Sequence, residues 1–208
     1  MLVFDFFSGT GSSTQAFKDA GHTVIHVELD EYFEADERDV MKLTAEYLVS
    51  KYGQPDFIWA SPPCTAFSVA SIGHHWTGGY RAYEPKTEFA KLSQELVAHT
   101  IQLIKDLKPT KGWIMENPRG VLRKLPVVQE LPRNTVTYCT YGDNRMKPTD
   151  LWGVVPNWTP RTMCKNGMPC HEAAPRGAKT GTQGLKGARE RSRVPYALGE
   201  EILAALLQ

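Results

Sequence analysis

Two short motifs place reactive side chains directly after apolar runs. Asp56-Phe-Ile-Trp-Ala60 leads into Ser61-Pro-Pro-Cys64, and Trp113-Ile-Met-Glu116 leads into Asn117-Pro118. Two prolines stiffen a turn and hold the next side chain outward. A free cysteine is most often a small buried hydrophobe. Projected from a strand-end turn, Cys64 instead sits where a thiolate nucleophile belongs. A glutamate after an apolar strand is commonly a solvated end, but Glu116 and Cys64 facing one pocket supply a proton donor and a nucleophile.

A third motif suits ligand binding. Ser8-Gly-Thr-Gly11 follows the apolar run at residues 2–7, and its glycines let backbone N–H groups approach a ligand closely. A plain tight turn is the competing explanation, and Thr14 stands where a G-x-G-x-x-G fingerprint has its third glycine. Glu28 ends the next apolar run, where a carboxylate can accept both hydroxyls of a ribose. It also opens an acidic run through Asp30, Glu31, Glu34, Asp36, Glu37 and Asp39, as a solvated surface would. Negative charge this dense repels a diphosphate and suits a ligand carrying a sulfonium cation better than a nicotinamide dinucleotide.

The elements that carry these residues alternate. Strands are read at 2–7, 23–27, 56–60, 113–116, 135–138 and 151–152. Helices are read at 13–20, with Ser12 or Ser13 as N-cap, and at 43–51, 88–107 and about 196–207. Residues 61–87 read as loop, with His74 and His75 on a mobile, solvated part of it. Strand–helix alternation implies a parallel sheet covered on both faces, with ligands beyond the carboxyl ends of the strands. Ser8 to Gly11, Glu28, Ser61 to Cys64 and Glu116 to Pro118 all fall at that edge.

With 208 residues, 41% of them hydrophobic and 23% charged, the composition is that of one globular domain with a small appendage. A wholly disordered chain is excluded. No apolar run reaches the roughly 20 residues that cross a bilayer, so no membrane partner is expected. The opening residues have no basic flank, and the chain is expected in the cytoplasm. In that reducing compartment Cys64, Cys139, Cys164 and Cys170 point to thiol chemistry or metal binding rather than a disulfide framework. A net charge of +1 conceals a split: residues 161–193 carry +6 and the remainder −5, which raises the case for a polyanionic partner.

Asp5-Phe-Phe-Ser-Gly-Thr-Gly11, Ser61-Pro-Pro-Cys-Thr-Ala-Phe-Ser68 and Glu116-Asn-Pro118, in that order, resemble the DNA cytosine-5 methyltransferases. The resemblance runs to about Gly153 and resumes near Arg189. It implies an α/β, Rossmann-like class I S-adenosylmethionine-dependent methyltransferase fold, and methyl transfer to carbon 5 of cytosine through a covalent Cys64 adduct. By the same resemblance Phe7 stacks on the cofactor adenine, Ser8, Gly9, Thr10 and Gly11 line its methionine moiety, and Glu28 binds its ribose. Asp39 contacts the adenine amino group, with Val40 and Pro63 beside the cofactor. Glu116 partners the base, and Arg145 or Lys147 matches a basic motif near the substrate. Thr65, Pro118 and Arg191-Ser192 depart from the family's usual Gln, Val and Gly-Asn.

Only 46 residues, 148–193, separate the basic motif from Val194-Pro195, fewer than a target-recognition domain needs. The chain thus resembles compact, phage-type members, whose cytoplasm would be the host's. It divides into a catalytic core (1–153), a small irregular basic insert (154–193) and a helix returning to the core (194–208). Cys139, Cys164, Cys170 and His171 could clip the insert with zinc, provided a tight turn lets the adjacent Cys170 and His171 both ligate. Gly73 to Tyr83 is the expected lid over a flipped base. A monomer is expected on duplex or single-stranded DNA. Arg176, Lys179, Lys186, Arg189, Arg191 and Arg193 would hold phosphates, and target choice would be short or supplied by an accessory protein. Methylation of RNA or free cytidine nucleotides, and a non-catalytic nucleic-acid-binding module, are the competing functions.

Overall fold

The computed structural model describes residues 1–78, 83–173 and 187–208. Lys179, Lys186, Arg176 and part of the expected lid therefore lie outside the described residues. A six-stranded sheet in the order β2-β1-β3-β6-β8-β7 forms the centre. Its strands are β1 (Leu2–Phe6), β2 (Thr23–Val27), β3 (Phe57–Ala60), β6 (Gly112–Pro118), β7 (Arg133–Thr137) and β8 (Pro148–Val154). The first four in that spatial order are parallel, and β8 runs antiparallel to both neighbours.

Period-two alternation sorts β1 onto two faces. Phe4 and Phe6 join Ile58 and Met115 beneath α2 (Ala45–Tyr52) and the long α4 (Glu88–Leu107). Thr87 caps α4 by accepting the Ala90 N–H, and buried Val97, Ile101, Ile104 and Leu107 give the helix its inner stripe. Val3 faces the other way, with Phe57, Trp59 and Ile114, under α1 (Gln15–Asp19) and α6 (Tyr196–Leu206). There Phe17 stacks on Phe57 at 5.7 Å.

Three expectations change. The sheet is mixed rather than parallel, because β7 and β8 are joined by only the ten residues 138–147. That length permits an antiparallel pair but is short for a crossover. Neither Ser12 nor Ser13 caps α1; Thr14 is the N-cap residue and makes no side-chain cap bond. The Ser13 and Thr14 hydroxyls donate instead to buried Asp5, over 3.0 and 2.7 Å. Residues 61–87 are also not plain loop. They hold two 3₁₀ turns, α3 (Ile72–His75) and a hairpin of β4 (Trp76–Thr77) with β5 (Glu84–Pro85). His75 is buried there, its Nδ1 2.8 Å from Thr87 Oγ1, so burial lowers its pKa. A short helix, α5 (Ala188–Ser192), lies just before α6. No described helix is long and apolar enough to cross a membrane.

Candidate active site

Parallel strands β1, β3 and β6 deliver their carboxyl ends to one edge, and the three motifs meet there. A cleft of about 330 Å³ is walled by Phe7 to Thr10, Ser61 to Thr65, Glu116, Lys147 and the Arg191–Val194 segment. Cys64 leaves β3 through the two prolines and opens a 3₁₀ turn, Thr65–Phe67, with Phe67 N–H donating to its carbonyl. The turn is pinned from three directions. Asn117 Nδ2 donates to the Pro62 carbonyl over 2.9 Å, Trp76 Nε1 donates to the Ala66 carbonyl, and the Val121 N–H donates to the Phe67 carbonyl. A Cβ on Gly120 would stand 2.1 Å from that same Phe67 oxygen, so only glycine allows the β6 loop to approach so closely.

Glu116 is buried at the end of β6. The Tyr138 hydroxyl donates to its Oε1 over 2.9 Å, and Lys147 Nζ lies 3.9 Å from the same oxygen. Loss of hydration raises the Glu116 pKa, while Lys147 and the Tyr138 hydrogen bond hold it back. Cys64 is exposed as a residue, yet the cleft walls desolvate it. That, and then the Glu116 carboxylate, raise its thiol above the ordinary value against Lys147 and Arg191.

Lys147 and Arg145 part company. Lys147 lines the cleft, its Nζ donating to the Arg191 carbonyl over 3.1 Å and lying 4.7 Å over the Tyr138 ring. Arg145 is absent from that lining: it forks onto Asp143 and donates to the Glu190 carbonyl, holding α5 in place. Arg189, on the far side of α5, stacks 3.5 Å over the Tyr32 ring and reaches Asp30 at 4.0 Å.

At the β1 end Phe7 takes φ of 61°, a left-handed conformation costly for an aromatic residue. Ser8 Oγ is buried without a hydrogen-bond partner, and Gly9 has open space where a Cβ would stand. Glu28 receives the Gly9 and Asp30 N–H groups, one on each carboxylate oxygen. A second cleft, about 550 Å³, shares Ser8 to Thr10, adds Gly11 and extends over Tyr32 to Asp36. Asp39 and Val40 line neither cleft. Asp39 caps a 3₁₀ turn at the Met41 N–H, and Val40 is buried in the core with its carbonyl bonded to His99 Nε2.

Cys139, Cys164, Cys170 and His171 form one cluster, with ligand atoms all within 4.8 Å of each other. The turn at Gly167 and Met168 carries the chain back from Cys164, and the Cys170 and His171 side chains both reach the cluster. Cys170 Sγ lies 3.8 Å from Cys139 Sγ and 3.7 Å from His171 Nδ1, and Cys164 Sγ lies 3.0 Å from Cys170 Sγ, far beyond disulfide length. Tyr138 and Asn117 brace the cleft from behind its lining, and sequence reasoning gave neither a role of its own. Tyr138 carried one usable signal, its place at a strand end beside Cys139.

The family profile of C-5 cytosine-specific DNA methylases matches residues 1–126. A probable DNA (cytosine-5)-methyltransferase of Frog virus 3 is 30% identical over 217 residues, covering 98% of this chain and 99% of its own. Among solved structures, the Entamoeba histolytica methyltransferase EhMeth superposes with a TM-score of 0.53 at 14% identity, over 78% of this chain and 56% of that one. The Dnmt2 methyltransferase of S. pombe gives 0.50 at 10% identity, over 78% and 52%. The chain thus spans little more than half the length of those two structures, which share its fold. Profile, full-length relative and fold agree with the three motifs at the sheet edge, and the chain belongs to the C-5 cytosine-specific DNA methylase family.

Proposed function

We propose that this chain methylates carbon 5 of cytosine in DNA, with Cys64 as nucleophile and Glu116 as proton donor. The observation that carries the reading is a desolvated thiol and a buried carboxyl group on two walls of one cleft. S-adenosylmethionine, when bound, supplies an electrophilic methyl group on a sulfonium. Ser8 with its unpartnered hydroxyl, the open backbone at Gly9 and the Glu28 carboxylate fit its polar groups, and Phe7 offers an apolar ring. Glu28, Asp39 and Val40 all stand outside the lining of both clefts; Asp39 caps a 3₁₀ turn and Val40 is buried in the core.

Cytosine carbon 5 is a weak nucleophile on its own. Cys64 gives its thiol proton to solvent water and its Sγ adds to carbon 6, while Glu116 protonates ring nitrogen 3, so the ring's electron density moves to carbon 5. Once carbon 5 carries the methyl group the ring is positive, and nitrogen 3 returns its proton to Glu116. Solvent water then takes the carbon 5 proton, whose electron pair forms the carbon 5–carbon 6 double bond and expels Cys64 as thiolate. Lys147 stays beside Glu116 as the basic residue of the site, while Arg145 positions α5. Stacking in a duplex blocks carbon 6, so the base must leave the stack.

The reading extends to the insert. The four-ligand cluster suits a tetrahedral zinc, for which bond lengths of about 2.3 Å to sulfur and 2.0–2.1 Å to nitrogen put ligand atoms about 3.5–3.8 Å apart. Among the described residues of the insert, 154–173 and 187–193, few apolar groups are buried, so a metal clip would stabilise it. The chain acts as a monomer, and an accessory protein supplies any long target sequence. Arg189, Arg191 and Arg193 are the described arginines for phosphate contact; Arg189 also meets Tyr32 and Asp30, and Arg193 lies 3.9 Å from Glu190.

Labelled S-adenosylmethionine offered with duplex DNA, single-stranded DNA, tRNA and dCMP tests the substrate. Label in 5-methylcytosine of DNA supports the reading; label confined to tRNA or dCMP contradicts it. One zinc per chain by elemental analysis, lost in Cys164→Ser, supports the clip, and metal-free folded protein contradicts it.

A further inference from the structure

The two oxygens of Glu116 are not equivalent. The Tyr138 hydroxyl and the Lys147 ammonium both address Oε1, at 2.9 and 3.9 Å. Among the described residues no donor hydrogen-bonds Oε2, and Glu116 lines the Cys64 cleft. A neutral carboxyl group has one oxygen that only accepts and one that carries the proton. A hydroxyl donor and a cation gathered at Oε1 make that oxygen the acceptor and leave the proton to Oε2.

We propose that Tyr138 is a positioning residue that assigns the Glu116 proton to Oε2 and so aims it at the base; the inference rests on Glu116 being the proton donor. Tyr138 is placed for this work by contacts outside the Cys64 and Glu116 motifs. Its ring is fully buried and lies against Lys147, whose Nζ is tied to the Arg191 carbonyl. The residue before it, Thr137, accepts the Cys164 N–H on Oγ1 over 2.8 Å, and the residue after it, Cys139, belongs to the four-ligand cluster. The turn that anchors the insert therefore also orients the acid. A hydrogen bond from Tyr138 favours the carboxylate form, so it also restrains the rise in pKa that burial imposes.

Tyr138→Phe removes the hydroxyl and keeps the ring. It should lower kcat on duplex DNA about tenfold, the scale for losing an outer hydrogen bond to a working ligand. KM for DNA and S-adenosylhomocysteine binding should stay within about twofold of wild type. The limb of the kcat–pH profile that Glu116→Gln abolishes should move to higher pH, because the carboxylate has lost a donor. Fluorotyrosine placed at position 138, a stronger donor on the same ring, should move that limb to lower pH and serves should Tyr138→Phe not fold. A limb unmoved in whichever variant folds overturns the proposal, whether kcat is retained or falls together with cofactor binding. A wild-type protein that transfers no methyl group to cytosine overturns the reading beneath it instead.

Discussion

Asn117 reaches across from β6 to hold the carbonyl of Pro62, its Nδ2 2.9 Å from that oxygen. The residue next to the proposed proton donor, Glu116, thereby fixes the turn that carries the proposed nucleophile, Cys64. Asn117→Ala leaves a buried carbonyl unpaired, which should cost about 1–3 kcal/mol in urea melts. It should also lower kcat about 10–100-fold, as loss of an outer orienting bond does. A variant as active and as stable as wild type would show that the turn needs no such tether.

The Glu116 carboxyl group bears on the charge of the Cys64 thiol. Burial and the Glu116 carboxylate raise the Cys64 thiol, so little thiolate is present at neutral pH in the free protein. Alkylation of Cys64 by iodoacetamide should rise with pH through a midpoint above the ordinary thiol range. Glu116→Gln removes the negative neighbour and should speed alkylation at any pH below that midpoint, while Lys147→Gln should slow it. Slower alkylation in Glu116→Gln would contradict the arrangement.

Asp150 ties the antiparallel end of the sheet to the connection after β6. It is fully buried and accepts from Arg123 Nε at 2.9 Å, Arg123 Nη2 at 2.6 Å and Thr135 Oγ1 at 2.7 Å. Asp150→Ala strands a largely buried guanidinium and should cost about 3–5 kcal/mol. Denaturant melts measure it, and a cost below about 1 kcal/mol would mean the pair acts as a solvent-exposed one.

The ends of β1, β3 and β6 were legible because a local signal marks them: an apolar run stops and a Gly, Pro, Cys or Glu follows. Their meeting at one edge follows from parallel topology, which strand–helix alternation encodes. The antiparallel β8 was harder to read, because Pro148 opens it and the expected strand spanned only residues 151–152. Ser13 and Thr14 resemble ordinary cap residues until Asp5 is seen buried beneath them. His75 owes its burial to Thr87 and Phe89, at the far end of a segment that reads as loop. Tyr138 reaches Glu116 across 22 residues of chain, and Cys170 and His171 share a cluster only through a turn of their own. Such long-range placements come from packing, and periodicity carries no record of them.

Covalent trapping tests the central claim most directly. A duplex carrying 5-fluorocytosine lacks the proton whose loss releases the enzyme, so incubation with S-adenosylmethionine should leave protein bound to DNA. Peptide mass spectrometry should place the adduct on Cys64, and Cys64→Ser should form none. Methyl transfer without an adduct, or an adduct on Cys139, Cys164 or Cys170, would contradict the account.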